Sequence, residues 1–360
     1  MTPVATNPYY DPAKPHHRPD GFQNTDASFR PRGLAEVIRW KWNAAREGLP
    51  PEAQAPTPRV APDLPFLRAN AAAGARMQPA VTWIGHATVL AQLGGLNVLT
   101  DPMFSERASP LPFAGPKRHV APGLALDELP HIDLVLVSHN HYDHLDAASV
   151  DHLAAQAGGP PVFIVPLGLL PWLQGRGVTS GIELDWWQVQ RVAAPGGGVD
   201  VMLCPAQHWS ARGLGDRMAT LWGGFAVFAP DCHLFFAGDT GYSRDFADLR
   251  QQVIDRQGVG GGFDIALLPI GAYEPRWFMS NQHVNPAEAV RIHRDVAARR
   301  SLGVHWGTFE LTDEPLDEPP RALAREAAAA GLPADAFFVL AIGETRRITA
   351  RPAPASPPSP

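Results

Sequence analysis

The sequence predicts an α/β protein built in layers, with β-sheets covered by helices. Three observations carry that reading. Apolar, β-branched runs of strand length recur along the chain, IDLVLVS (Ile132 to Ser138) being the clearest. Several are almost continuously apolar, as strands buried on both faces are. They alternate with segments of helical composition, such as the Ala-rich stretch from Ala147 to Gln156, which is the order of a layered α/β domain.

In chain order, residues 1–60 are rich in proline and read as an N-terminal extension carrying one helix. That helix is LAEVIRWKWNAAREGL, Leu34 to Leu49. At helical spacing Leu34, Val37, Ile38, Trp42, Ala45 and Leu49 share one face, opposite Glu36, Arg39, Asn43 and Arg46. Such a helix packs on its own domain or, with its tryptophans beside Arg39 and Lys41, lies on a membrane surface.

The segment VTWIGHATVLAQLGGLNVLTDP, from Val81, reads as two or three strands with a Gly-Gly turn. After Ile132 to Ser138 come the helix to Gln156 and a strand at Val162 to Val165. Further strands are expected at Asp200 to Pro205, Thr220 to Phe228, Leu234 to Ala237, Ile265 to Pro269, Leu302 to His305 and Phe337 to Ile342. Helices fit Ser243 to Ile254 and Asn285 to Ala298, the second opening on an Asn cap followed by Pro. Residues 61–350 make the folded domain, and the Pro-rich tail, 351–360, reads as disordered.

Composition narrows the function. With 45% hydrophobic residues in 360 the chain can bury a large core, and a formal charge of −6 offers no basic face for nucleic acid. Cys204 and Cys232, the only cysteines, cannot build a disulfide framework or a four-cysteine zinc site, so a reducing compartment is expected. No secretory h-region and no run of 18 apolar residues is present, and a cytoplasmic location follows as the expectation.

The chemistry concentrates in SHNHYDHLD, where His139, His141, Asp143 and His144 follow the apolar strand directly. Residues 139 and 141 alternate as strand residues do and face one side. Imidazoles joined by a carboxylate suit a hydrolytic or redox metal centre rather than a closed structural one. Four ligands cannot complete two metal sites. Three further candidates end later strands: His208 after DVMLCPAQ, Asp239 in LFFAGDTG and His305 in SLGVHWG. Gly238 and Gly241 around Asp239 permit close backbone approach. Taken singly each is an ordinary strand-end residue; jointly they make a set.

The order HNHYDH, His208, Asp239, His305 resembles the metallo-β-lactamase superfamily. The blocks WIGHATVL, LTDPMFSERASP, GPKRH, PAQHWS, FAGDTGYS, PIGAYEPRWFMSNQHVNPAEAVRIH and HWGTFELTDEP, spanning Trp83 to Pro315, are similar to the N-acyl-phosphatidylethanolamine-hydrolysing phospholipase D family. The resemblance implies a four-layer αββα sandwich. It implies two metals, expected to be zinc, with iron or manganese as alternatives that the same ligands accept. One metal would be held by His139, His141 and His208, the other by Asp143, His144 and His305, with Asp239 bridging. The reaction implied is hydrolysis of a phospholipid phosphodiester to an N-acylethanolamine and a phosphatidic acid, Asp143 and Asp239 orienting the attacking water. A lactonase or a hydrolase of soluble phosphodiesters is the alternative, because the fold and metal set are shared among such reactions.

Around the metals, His283 is a candidate to protonate the leaving oxygen or to act as a hydrogen bonder, and Gln282 to meet the substrate phosphate. Tyr142 would donate to the phosphate or pack, and Trp277 would line the rim against acyl chains. Asp101 and His86 are expected beside the ligands rather than on the metal. A bilayer substrate would bring the protein to the inner face of the membrane as a peripheral partner, through Leu34 to Leu49. Relatives of this type also include homodimers, an arrangement on which the sequence itself is silent.

Overall fold

The structure, a computed structural model, describes residues 6–213, 215–258 and 261–351; of the tail expected at 351–360, Arg351 is instead held by Asp264 and by the carbonyls of Gln257 and Gly262, and 352–360 lie outside the described residues. The chain opens with β1 (His17–Arg18), β2 (Gly21–Phe22), α1 (Leu34–Glu47) and α2 (Leu64–Ala71). It continues with β3 (Ala80–Gly85), β4 (Thr88–Leu93), β5 (Leu96–Thr100), β6 (Leu134–Leu136), α3 (Ala147–Ala154), β7 (Val162–Pro166), α4 (Leu170–Gln174) and β8 (Gly181–Leu184). The second half holds β9 (Val189–Val192), β10 (Val199–Cys204), β11 (Gly224–Phe228), β12 (His233–Phe236), α5 (Asp245–Gln257), β13 (Ile265–Pro269), α6 (Arg276–Met279) and α7 (Pro286–Asp295). It closes with β14 (Ser301–Val304), α8 (Glu318–Ala329), β15 (Phe337–Phe338) and β16 (Thr345–Arg347).

Two seven-stranded sheets face each other, ordered β16-β3-β4-β5-β6-β7-β8 and β15-β14-β13-β12-β11-β10-β9. Alternation sorts their side chains. Along β6 and the residue after it, Leu134 and Leu136 enter the core between the sheets, while Val135 and Val137 turn outward to Leu67 of α2, Val150 and Leu153 of α3 and Leu173 of α4. Beyond the second sheet, Phe246, Leu249 and Val253 of α5, Ala289 and Ile292 of α7 and Leu323 of α8 close the other side. The result is the four-layer αββα sandwich.

Strand direction positions the site. The strand β5 runs parallel to β6, and β3 reaches β5 through two antiparallel pairings, so all three end at one edge. In the second sheet β12, β13 and β14 are parallel, and β10 joins them in direction through two antiparallel pairings. Seven strands thus carry the residues that follow them to the carboxyl edge, where α/β sheets place their ligands.

Three expectations about these elements need correction. The strand expected from Phe337 to Ile342 ends at Phe338, because Ile342 pairs instead with residues 58–60, its amide donating to Pro58 O and its carbonyl accepting from Val60 N. The strand expected from Thr220 begins only at Gly224, because the Leu221 and Gly223 amides donate to Leu167 O and Ser138 O, outside the ladder. The buried stripe of α1 is Trp40 and Ala44 on Phe278 and Met279, with Val37 and Leu49 of the expected face packed beside it, while Leu34, Ile38, Trp42 and Ala45 of that face stay outside. Trp40 also donates its indole N–H to Asp313 Oδ2 at 2.7 Å. Leu34, Ile38 and Trp42 remain 75%, 60% and 60% exposed. Helical spacing offered two neighbouring apolar stripes, and the tertiary partner, absent from any local pattern, chose between them.

Residues 6–33 run across the sandwich as a strap, with Phe22 fully buried in the main core.

Candidate metal centre

All seven residues expected as ligands converge at the shared edge. His139 to His144 occupy the loop after β6, His208 follows β10, Asp239 follows β12 and His305 follows β14. In the first group His141 Nδ1 lies 2.8 Å from His139 Nε2 and 3.3 Å from His208 Nε2. In the second, Asp143 Oδ2 lies 3.3 Å from His144 Nε2 and 3.4 Å from His305 Nε2. Asp239 spans the two. Its Oδ1 is 3.2 Å from His305 Nε2, and its Oδ2 is 3.1 Å from His144 Nε2, 4.0 Å from His139 Nε2 and 3.9 Å from His208 Nε2.

Hydrogen bonding at the outer ring nitrogens decides which way the lone pairs point. The Ser138 hydroxyl donates to Asp101 Oδ2, so its oxygen accepts from His139 Nδ1–H at 2.9 Å. His208 Nδ1–H donates to Gln282 O at 2.9 Å, and His144 Nδ1–H to Asp101 Oδ2 at 2.6 Å. In His139 and His208 the remaining nitrogen therefore aims an unprotonated lone pair at the other ligands, while Nε2 of His144 faces the carboxylates of Asp143 and Asp239. Within a buried cluster such inward lone pairs are repulsive unless a cation sits between. His144 Nε2, His305 Nε2 and Asp239 Oδ1 are buried without hydrogen-bond partners. The donor set thus fits two metal ions, and its nitrogen and carboxylate character suits zinc, iron or manganese alike.

The ionisation pattern agrees. Burial first, then neighbouring imidazoles, holds His139 well below its ordinary value, and the same causes bring His141 to about 3. Burial also lowers His208, to about 4, keeping these rings in the ligating form. Burial works against charge at Asp143 and Asp239, yet the adjacent His144 outweighs it and both carboxyls stay ionised well below the usual range. His144 and His305 resist burial through those same carboxylates, His305 rising to about 9. Protons on these two rings stand where positive charge is wanted.

Three of the seven non-glycine residues with positive φ among the described residues stand at the centre. His86, Asp101 and His305 have φ of 55°, 32° and 60°, a region costing non-glycine residues about 1–3 kcal/mol each. His86 O holds its neighbours by accepting from the His305 amide and the Trp83 indole, each at 2.9 Å. Gly238 answers the sequence expectation: a Cβ there would lie 2.7 Å from Ser138 Cβ.

The other named residues fall at different depths. His86 stands beside a ligand, as expected, its Nε2 3.0 Å from Asp143 Oδ2 in a fully buried ring. The signal was available, since WIGHAT ends a strand of the same direction as the ligand strands. His283 reaches in, with Nδ1 3.8 Å from Asp239 Oδ2 and no hydrogen-bond partner. Gln282 is buried, with its backbone carbonyl rather than its side chain orienting His208. The Tyr142 hydroxyl donates to Arg212 O at 2.8 Å, and Arg212 stacks on its ring while donating to Asn140 O and Leu145 O. Trp277, 39% exposed, stands on the rim beside Arg39.

An αββα sandwich with paired His/Asp ligand groups at one edge defines the class of protein. The Beta-lactamase superfamily domain matches residues 96–306, and the chain belongs to that family. Among its relatives, an N-acyl-phosphatidylethanolamine-hydrolyzing phospholipase D 1 of Caenorhabditis elegans is 43% identical over 236 residues, 64% of this chain and 64% of the worm protein. A mitochondrial phospholipase D of the same description from Saccharomyces cerevisiae is 38% identical over 67% of this chain and 50% of its own length. The chain therefore spans between half and two thirds of these relatives. Igni18, a metallo hydrolase of Ignicoccus hospitalis, shares the fold at 19% identity, with a TM-score of 0.55 over 74% of this chain and 97% of that one.

Proposed function

We propose that the protein is a metal-dependent hydrolase that cleaves N-acyl-phosphatidylethanolamine on the phospholipase D side, releasing an N-acylethanolamine and a phosphatidic acid. The carrying observation is Asp239, placed between the two ligand groups in a chain 43% identical to a phospholipase of that description. Metal ions bound by the seven ligands would supply Lewis acidity towards a phosphoryl oxygen and a water acidic enough to attack at neutral pH.

The chain's own residues do the rest. Asp143 and Asp239, held ionised, orient the attacking water while completing the ligand set. Burial, chiefly, holds His283 well below its ordinary value and hence neutral. Its ring then serves as a hydrogen-bond donor to the phosphoryl group or leaving oxygen, not as a reservoir of protons. The exposed stripe of α1, together with Trp277, is the surface we assign to contact with the lipid bilayer. No helix among the described residues is long and apolar enough to cross one.

Metal analysis of the purified protein, paired with product assays on N-acyl-phosphatidylethanolamine, phosphatidylcholine and a lactone, tests the reading. The expected result is about two metal ions per chain and turnover of the N-acylated lipid. Asp143→Ala and His305→Ala should each lose about 10³-fold or more in turnover while remaining folded, as members of one catalytic unit do. Preference for the lactone would replace the substrate assignment, and full activity in either variant would remove the site.

A further inference from the structure

We propose that Asn24, in the N-terminal strap, is a positioning residue of the first metal group, acting through the backbone of His208. The family match begins at residue 96, so nothing in it points to this segment. Asn24 is 2% exposed and spends its side-chain amide on one peptide unit. Its Nδ2–H donates to His208 O at 2.8 Å, and its Oδ1 accepts from the His208 amide at 3.0 Å. Both polar backbone groups of the ligand are thus held by one side chain, as a neighbouring strand would hold them. Trp222 Nε1–H closes the arrangement, donating to Asn24 Oδ1 at 3.2 Å and to Ala206 O at 2.9 Å.

With Gln282 O fixing the outer ring nitrogen, the backbone and the ring rotation of His208 are both determined. The loop after β10 has no ladder partner at His208, and Asn24 supplies the missing one. The strap can bear on the loop because it is anchored before it. Asn7 Nδ2 donates to Arg18 O and Gly21 O, and the buried Asp185 carboxylate accepts from Lys14 Nζ at 2.5 Å and pairs with His16 at 2.7 Å and His17 at 3.1 Å. The Phe22 amide donates to Met218 O, at a point where a Cβ on Gly21 would sit 2.3 Å from that oxygen. The strap is therefore part of the centre's scaffold.

The inference rests on the metal reading above, and the experiment separates the two. Zn²⁺ and Co²⁺ are titrated into metal-free wild type and Asn24→Ala against a chelator of known affinity. Wild type should take up two ions. Asn24→Ala should bind one of them about 10–100-fold more weakly, the usual cost of losing a group that orients a ligand, with the other unchanged. The Co²⁺ absorption of the weakened site should shift. Should Asn24→Ala not fold, Asn24→Asp keeps the acceptor and sets a carboxylate against His208 O, and it should weaken the same site. Two ions bound with wild-type affinity, or both weakened alike, would overturn the role of Asn24. Fewer than two ions in the wild type would instead overturn the metal reading.

Discussion

Asp101 Oδ2 lies 2.6 Å from Nδ1 of His144, and the same carboxylate accepts the Ser138 amide and hydroxyl. One wholly buried group therefore orients His144 directly and His139 through Ser138. Asp101→Ala should weaken metal binding about 10–100-fold at the group containing His144, with a smaller loss at the His139 group. Asp101→Glu should not rescue it, because a longer side chain carries the carboxylate away from the three groups that Asp101 meets at 2.7, 2.6 and 2.6 Å. Chelator competition measures both; unchanged affinity in Asp101→Ala would remove it from the centre.

Metal removal should be costly to stability. Without cations, the inward lone pairs of His139 and His208 both face Nδ1 of His141, which can donate to only one of them, and Asp143 and Asp239 share one pocket. Ions that bind only the folded chain stabilise it by about 4 kcal/mol per site at a thousandfold excess over Kd. The melting temperature should fall by several degrees in chelator and recover on adding Zn²⁺. Loss of both ions with no change in melting would show that the cluster does not strain the metal-free fold.

How much of this was legible in advance follows from what each residue's signal depends on. HNHYDH is local and announces itself. His208, Asp239 and His305 could be found because each ends an apolar strand, and a sheet carries strand ends to one edge whatever their separation in sequence. His86 ends such a strand too, but a single histidine in IGHAT had no neighbour to raise it above the ordinary. Asn24 left no trace, since its partners are the backbone groups of a residue 184 positions away. The misassigned face of α1 has a similar cause: Trp40 and Trp42 are equally apolar, and only Phe278 and Met279 decide which is buried.

Acid should loosen the strap before the sheets. Burial opposes charge on Asp185, but its bonds to His16 and Lys14 outweigh that and hold the carboxyl below its ordinary value of 3.8. A depressed carboxylate contributes stability above that value and loses it as pH falls further. Burial lowers His17 from 6.5, so the unfolded strap takes up a proton that the folded one refuses, and this contribution erodes as pH drops below 6.5. Both slopes have the same sign. Amide exchange in residues 7–24, corrected for intrinsic rates, should rise from pH 6.5 downward and steepen near 4. His17→Gln should flatten the upper limb; an unaltered profile would locate the acid-sensitive group elsewhere.

The exposed stripe of α1 gives the most direct test of lipid contact. Leu34, Ile38 and Trp42 stand at intervals of four residues and are 75%, 60% and 60% exposed; Lys41 is on the same helix, and Arg46 and Arg39, expected on the opposite face, lie over the rings of Trp42 and Trp277. Fully burying one such apolar side chain is worth about 1.5–3 kcal/mol. Even partial burial of three at a bilayer should make the Leu34→Ser, Ile38→Ser, Trp42→Ser triple variant bind vesicles about 100-fold more weakly. The inner stripe, Val37, Trp40 and Ala44, is untouched, so melting temperature and hydrolysis of a short-chain soluble analogue should stay at wild-type levels. Binding should favour vesicles containing anionic lipid and weaken with salt, as the three cations require. Trp40→Ala supplies the contrast: it removes an anchor on Phe278 and Met279, and should lower melting temperature while leaving the outer stripe in place. If the triple variant and the wild type pellet equally with vesicles, α1 is not the contact and the lipid must be reached by another surface.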